Sequence, residues 1–279
     1  MDNMSVNNDA NASIIQRSLN AANKEAIKSI EKIAYGKKMN SIQDAAGSII
    51  ADQLEIQARC SQEASVNVQT GANVLQTAES DLGSITENLQ RMRELTLRAS
   101  NGTNGDKELD AIKSEISSLS SEIDRVSKTS SFSKMNLLDG SNADLALQVG
   151  ANSDSKNNSM HIGSALESAS ANSLGIPTGK NLDQALSSSQ MLDSIDKALS
   201  TVNDRRSSIG AMRNTLTSTF ENLQNTNANL TAAESRIRDT DVAKESSNLV
   251  KSQILQNASG SLLAHANQNS SNVLALLGV

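Results

Sequence analysis

Apolar residues recur along this chain at the spacing of one helix face. Leu75, Ala78, Leu82, Ile85, Leu89 and Met92 alternate steps of three and four, as do Leu109, Ile112, Ile116, Leu119, Ile123 and Val126, so each set lines one side of one helix. Between them stands Asn101-Gly102-Thr103-Asn104-Gly105. Its glycines accept positive φ and its asparagines bond local backbone, which predicts an antiparallel helical hairpin. Downstream, Ile195, Val202, Ile209, Leu216, Leu223, Leu230 and Ile237 recur at every seventh position. At a rise of 1.5 Å per residue, that holds one seam for about 63 Å. The companion heptad position reads Leu192, Leu199, Arg206, Arg213, Phe220, Asn227 and Glu234. It is apolar first and mostly polar later, so the seam should narrow as it approaches Ile237.

The ends repeat the theme more weakly. Ile15, Leu19, Ala22, Ala26, Ile30 and Ile33 step by four and three, and Val250, Ile254, Ala258, Leu262 and Ala266 step by four. Alanines bury little area at roughly 25 cal/mol per Å². Neither end is therefore expected to hold a helix alone; each should pair with the other or with neighbouring copies. The segment 131–180 departs from helical spacing. Leu145, Leu147 and Val149 alternate with polar residues, Gly150 to Ser159 is turn-like, and Met160 and Ile162 resume, which predicts a short β-hairpin near 143–163. The single proline, Pro177, leaves every long helix free of a proline kink. The fold class expected is mainly α: a long helical bundle or coiled coil with a small β-hairpin connector.

Composition removes several functions. The 279 residues carry a net charge of -6 and the only rings are Tyr35, Phe132 and Phe220. A chain without a basic excess or stacking rings is not built for nucleic acid. No run of about 18 apolar residues occurs, so no membrane-spanning helix is expected. The first residues, with Asp2, Asn3, Asn7, Asn8 and Asp9, lack a cationic start and an apolar stretch. The expectation is a cytoplasmic chain or one exported without a cleaved signal.

Candidate chemistry is sparse. Cys60 is the only cysteine, which excludes an intramolecular disulfide and a thiolate zinc cluster, and a buried inert thiol is expected. His161 and His265 have no second ligand at metal spacing and read as solvated or capping residues. Gly175-Ile176-Pro177-Thr178-Gly179-Lys180 has three residues between its glycines and Asn181 where a phosphate loop needs Ser or Thr, so it reads as an ordinary loop. Glu87, Glu94, Glu115 and Glu122 read as solvated charge on helix faces. No catalytic, cofactor or metal site is expected, and the chain does not read as an enzyme.

Several strings nevertheless resemble one family. Leu89-Gln90-Arg91-Met92-Arg93-Glu94-Leu95 with Ala99 to Thr103 resembles the first long core helix and turn of bacterial flagellins. Asn40-Ser41-Ile42-Gln43-Asp44-Ala45-Ala46-Gly47 is similar to that family's entry into the core, and Ser131-Phe132-Ser133-Lys134-Met135-Asn136-Leu137-Leu138-Asp139-Gly140 to its exit from the second core helix. The most specific string is Asn229-Leu230-Thr231-Ala232-Ala233-Glu234-Ser235-Arg236-Ile237-Arg238-Asp239-Thr240-Asp241, followed by Ile254-Leu255-Gln256 and Val273-Leu274-Ala275-Leu276-Leu277-Gly278. The likeness runs from about residue 14 onward.

The resemblance implies a filament subunit for motility, without variable outer domains, exported through the flagellar type III apparatus to the cell exterior. It implies inner coiled-coil helices at 1–43 and 239–279, and a surrounding spoke domain made of 44–180 and the long helix 181–238. The terminal stripes would then be the polymerisation surface. The bundle core would comprise Leu82, Ile85, Leu89, Met92, Ile112, Ile116, Leu119 and Ile123 with the heptad run from Ile195 to Ile237. Implied partners are sister copies, hook-filament junction and cap proteins, and an export chaperone, with no cofactor. By the same resemblance, Arg91, Leu95 and Glu115 match positions that meet the animal Toll-like receptor for flagellin; residue chemistry alone makes Arg91 and Glu115 solvated charges and Leu95 a rim residue. Departures stand at Gln43, where the family pairs two aspartates, and at Ser246, Ser247 and Asn248, where larger apolar residues are common. They keep open a junction protein or a secreted relative that does not polymerise. A signalling coiled coil would explain the heptads but not the strand segment.

Overall fold

The computed structural model describes residues 10–38, 45–101, 104–152, 154–177 and 189–276. Their helices are α1 (Ala10–Tyr35), α2 (Ala45–Ala99), α3 (Asp106–Thr129), the single-turn α4 (Ser155–Asn158), α5 (Ser189–Arg238) and α6 (Val242–Leu276). Two antiparallel pairs of short strands lie between α3 and α5: β1 (Ser131–Phe132) with β2 (Met135–Asn136), and β3 (Ala146–Gln148) with β4 (Ser159–His161). The chain divides into two compact units, Gln57–Asn229 and the joined ends Met1–Ile56 and Leu230–Val279.

In the first unit the three-and-four stripe of α2 is the core. Leu75, Ala78, Leu82, Ile85, Leu89 and Met92 have no exposed surface, and burying one side chain of leucine size contributes about 1.5–3 kcal/mol. Ile112, Ile116, Ile123 and Val126 of α3 meet that stripe, with Leu109 and Leu119 half-buried beside them. From α5 come Ile195, Val202, Ile209 and Leu216, all buried, and then Leu223, half-buried. The polar companion positions explain how the seam ends. Arg213 Nη1 donates to Glu79 Oε2 at 2.6 Å and Asn227 Nδ2 to the Ala58 carbonyl at 2.7 Å, so α5 runs antiparallel to α2 and changes from apolar to hydrogen-bonded contact. Leu230 and Ile237, in the other unit, are half-buried.

The connector does more than the sequence reading assigned to it. Leu137, Leu138, Ile162, Ala165, Leu166, Ala169, Ala171, Leu174 and Ile176 are all buried in the same cluster. Polar ties hold it there: Asp124 Oδ1 accepts from the Ala171 N–H at 2.8 Å, Ser130 Oγ donates to Asp81 Oδ2 at 2.5 Å, and Arg205 Nη1 donates to the Glu167 and Ser168 carbonyls at 3.0 and 2.9 Å. The hairpin near 143–163 forms with Leu147 opposite Met160. Leu147 packs on Gly71 of α2, where a Cβ would overlap its side chain. The β1–β2 hairpin was not anticipated. Its turn places Ser133 and Lys134 at φ 48° and 70°, a pair of left-handed residues that the usual Asn-Gly signal does not announce.

Cys60 is exposed rather than buried. The buried positions of this stretch of α2 are Ala58, Ser61, Ala64, Ser65 and Val68, and residue 60 falls between the turns that carry them. His161 and His265 are exposed. Of the loop from Gly175, which has φ +73°, only Gly175 to Pro177 are described; Thr178 to Asn181, Gly102, Thr103, Asn40 to Asp44, Leu277 and Gly278 lie outside the described residues.

Candidate assembly and recognition surfaces

The unit formed by the two chain ends is built on α1 and α6. Ser29 and Lys32 meet Glu245, and Ser18 meets Ser259, so the helices run antiparallel. Among the positions withdrawn from water, Ile15, Leu19, Ala22, Ala26, Ser29 and Ile33 follow one face of α1, and Glu245, Leu249, Ser252, Gln256, Ser259, Leu263 and Ala266 one face of α6. Both lists alternate threes and fours, the spacing of a coiled-coil seam. Small and polar groups dominate it.

This seam differs in detail from the stripes read off the sequence. On α1 it takes Ser29 where the stripe has Ile30, which is half in water. On α6 the stripe Val250, Ile254, Ala258 and Leu262 lies on the exposed side, and only Ala266 reaches the seam. Steps of four advance the helix by about 40° more than a full turn each time, so a strict four-step stripe drifts off any single face. Several larger aliphatic residues consequently point outward, while Ile15, Leu19, Ile33, Leu249 and Leu263 turn into the seam. Ile14, Ile27 and Ile30 of α1 and Val250, Ile254, Leu255 and Leu262 of α6 are all exposed, Ile254 at 62%.

One carboxylate is buried in the seam. Glu245 is 9% exposed; its Oε1 accepts from Lys32 Nζ at 3.0 Å and its Oε2 from Ser29 Oγ at 3.1 Å and Asn248 Nδ2 at 3.3 Å. The Lys32 hydrogen bond first, with those from Asn248 and Ser29, holds its pKa below the ordinary carboxylate value against the opposing effect of burial. The start of α6 is capped by Asp241, whose Oδ1 accepts from the Ala243 and Lys244 N–H groups at 3.0 and 3.1 Å. Next to it the two connecting segments clasp each other. Lys37 bridges Asp239, the Lys38 N–H donates to the Arg238 carbonyl at 2.6 Å, and the Thr240 N–H donates to the Gly36 carbonyl at 2.9 Å. Gly36 sits at φ +66°, which lets the chain leave α1 into this clasp. Arg238 meets Asp52, Glu55 and Glu234 at once, and the Glu55 hydrogen bond first raises its pKa.

The second surface is on the α2–α3 hairpin. Arg91 donates from Nε and Nη2 to Glu115 Oε1 at 2.9 and 2.8 Å and from Nη1 to Glu94 Oε2 at 3.2 Å. The pair is displayed to solvent. Leu95, read as a rim residue, is only 1% exposed and belongs to the core cluster. It supports the patch from below, because the stripe continues from Met92 to Leu95 by a step of three. Among the described residues there is no group of acidic, histidine and cysteine side chains fit to hold a metal, and no helix long and apolar enough to cross a membrane. An open groove of about 410 Å³ between α2 and the end of β3 is lined by Cys60, Ala64, Gln148 and Gly150 among others, and holds no such constellation.

The family described as "Bacterial flagellin N-terminal helical region" matches residues 6–143, and that described as "Bacterial flagellin C-terminal helical region" matches residues 192–277. A flagellin of Halalkalibacterium halodurans is 37% identical over 275 residues, covering 98% of this chain and all of the relative. A flagellin of Bacillus subtilis is 36% identical over 308 aligned positions, covering 98% and 100%. The crystal structure of a Bacillus cereus flagellin superposes with a TM-score of 0.48 at 29% identity, over 57% of this chain and 88% of that one. The chain belongs to the flagellins, the non-enzymatic subunits that polymerise into the extracellular filament of the bacterial flagellum for motility, and it has no large variable domain between its two helical regions.

Proposed function

We propose that copies of this chain meet in the filament through the outward faces of α1 and α6. In this reading 1–43 and 239–279 form the inner helices, and 44–180 with 181–238 form the spoke around them. One observation carries it: the α1–α6 seam mixes Ile15, Leu19, Ile33, Leu249 and Leu263 with alanines, serines and Glu245, while Ile14, Ile27, Ile30, Val250, Ile254, Leu255 and Leu262 are left in water. A helix pair that leaves this many larger aliphatic residues outside its own contact gains much from being covered. Of the stripe residues, Ile30, Val250, Ile254, Ala258 and Leu262 would then contact sister copies. Ile15, Leu19, Ala22, Ala26, Ile33 and Ala266 would pair the helices within each copy. Junction and cap proteins would meet the same faces at the filament ends, and an export chaperone would cover the α6 face before assembly.

The paired charges Arg91 and Glu115 are the part of the receptor-matching triplet that an animal Toll-like receptor for flagellin could touch. Leu95 would act by holding the helix that carries Arg91.

The assembly reading is tested by seeding filament fragments with purified subunit and following growth by electron microscopy. Deletion of 241–279, and separately Ile254→Ser with Leu262→Ser, should abolish growth while circular dichroism still reports the folded central bundle. Filaments grown from either variant would refute it.

A further inference from the structure

We infer that Glu245 fixes the register at which α1 and α6 pair, acting as a positioning residue for assembly. The inference rests on the reading that this pair is the one used in the filament.

The seam leaves register weakly specified by shape. Ala22 and Ala26 on α1, and Ser252 and Ser259 on α6, make up much of its middle beside Leu249 and Gln256, and small residues accept one another with little change in packing. A polar group placed among them is a recognised way to select one register, because a buried charge is costly unless its partners are opposite. Glu245 has those partners only here: Lys32 and Ser29 on α1 and Asn248 on its own helix.

The alternatives are unfavourable for reasons written in the same sequence. The smallest slip that preserves the alternating spacing is one heptad, about 10 Å. Sliding towards the start of α1 replaces Ser29 by Ala22 and Lys32 by Glu25. Glu25 already holds Lys28 at 2.9 Å, so Glu245 would lose its hydroxyl donor and meet a second carboxylate. Sliding the other way carries it to Gly36, past the last helical residue of α1, Tyr35. Both neighbouring registers leave a carboxylate without its cation.

Cross-linking in filaments of the full chain, with exposed Cys60→Ser as background, reads the register directly. Ser18→Cys with Ser259→Cys reports the observed pairing, where the two Oγ atoms are 3.5 Å apart; Ser18→Cys with Ser252→Cys reports the one-heptad slip. In the parent the first pair should form disulfide at least about tenfold more than the second. Exchanging the charges on α1, Glu25→Lys with Lys32→Glu, should reverse that ratio or stop growth. Adding Glu245→Lys to the exchange should restore both growth and the first cross-link. If the exchange leaves the first cross-link dominant and growth unchanged, or if the third substitution restores neither, Glu245 does not set register. Absence of both cross-links in the parent would instead overturn the α1–α6 pairing, and the inference with it.

Discussion

Leu95 and Arg91 lie four residues apart on one helix and serve different ends. Leu95 is enclosed, so Leu95→Ala removes buried methyl groups and leaves a cavity, an expected loss of about 2–5 kcal/mol for the Gln57–Asn229 unit. The measurement is a drop in denaturant midpoint. Arg91 is in water with Glu115 and Glu94, and exposed ion pairs contribute little to stability. Arg91→Ala should leave the midpoint in place and reduce binding of the monomer to the receptor; unchanged binding would remove this patch from the recognised surface. The contrast shows where sequence reading of single residues succeeds. Periodicity places Met92, Ile116 and Ile209 in the core because strong stripes average over many positions. Leu95 and Cys60 are read without it, the first from residue chemistry as a rim position and the second from the tendency of a lone thiol to be buried; helix phase instead puts Leu95 on the stripe and Cys60 between the buried turns.

At the level of elements, long helices were legible and short ones were not. The α2–α3 hairpin and the heptad run of α5 follow from repeated apolar spacing, and β3–β4 from alternation around Leu145 and Leu147. The β1–β2 hairpin escaped because Ser133 and Lys134 carry positive φ without the glycine that marks such turns. Lys134 is exposed at φ 70°, so Lys134→Gly should relieve its left-handed backbone. A gain of about 0.5–1 kcal/mol is expected in the unfolding of this unit, and a lower denaturant midpoint would contradict it. The connector's buried residues were also missed. Leu166, Ala169 and Leu174 have neither helical nor strand spacing, and they are buried because Asp124 and Arg205 satisfy the irregular backbone around them.

For the whole molecule, the two units rest on different forces, and acid should separate them. The Gln57–Asn229 unit holds an aliphatic core whose burial does not titrate. Its carboxylates also join elements, Glu79 to Arg213 and Glu115 to Arg91 at partly or fully exposed positions, but these lie around that core, and Glu122, lowered by the Arg125 hydrogen bond, pairs along α3. The paired ends bury a carboxylate between α1 and α6, Glu245, which is held below its ordinary value of 4.5 chiefly by Lys32. A depressed carboxyl stabilises the folded pair fully above its unfolded pKa, and the contribution disappears as pH falls through the folded value. Filaments should therefore lose their α1–α6 pairing below about pH 4.5 while the central unit keeps its helical signal. Light scattering and circular dichroism, followed together during acid titration, would record the two events apart. Glu245→Gln removes the titrating group that joins α1 to α6. It should weaken filaments at neutral pH and flatten the acid response in that window; a variant that dissolves along the parent's curve would place the acid sensitivity outside the Glu245, Lys32 and Ser29 cluster.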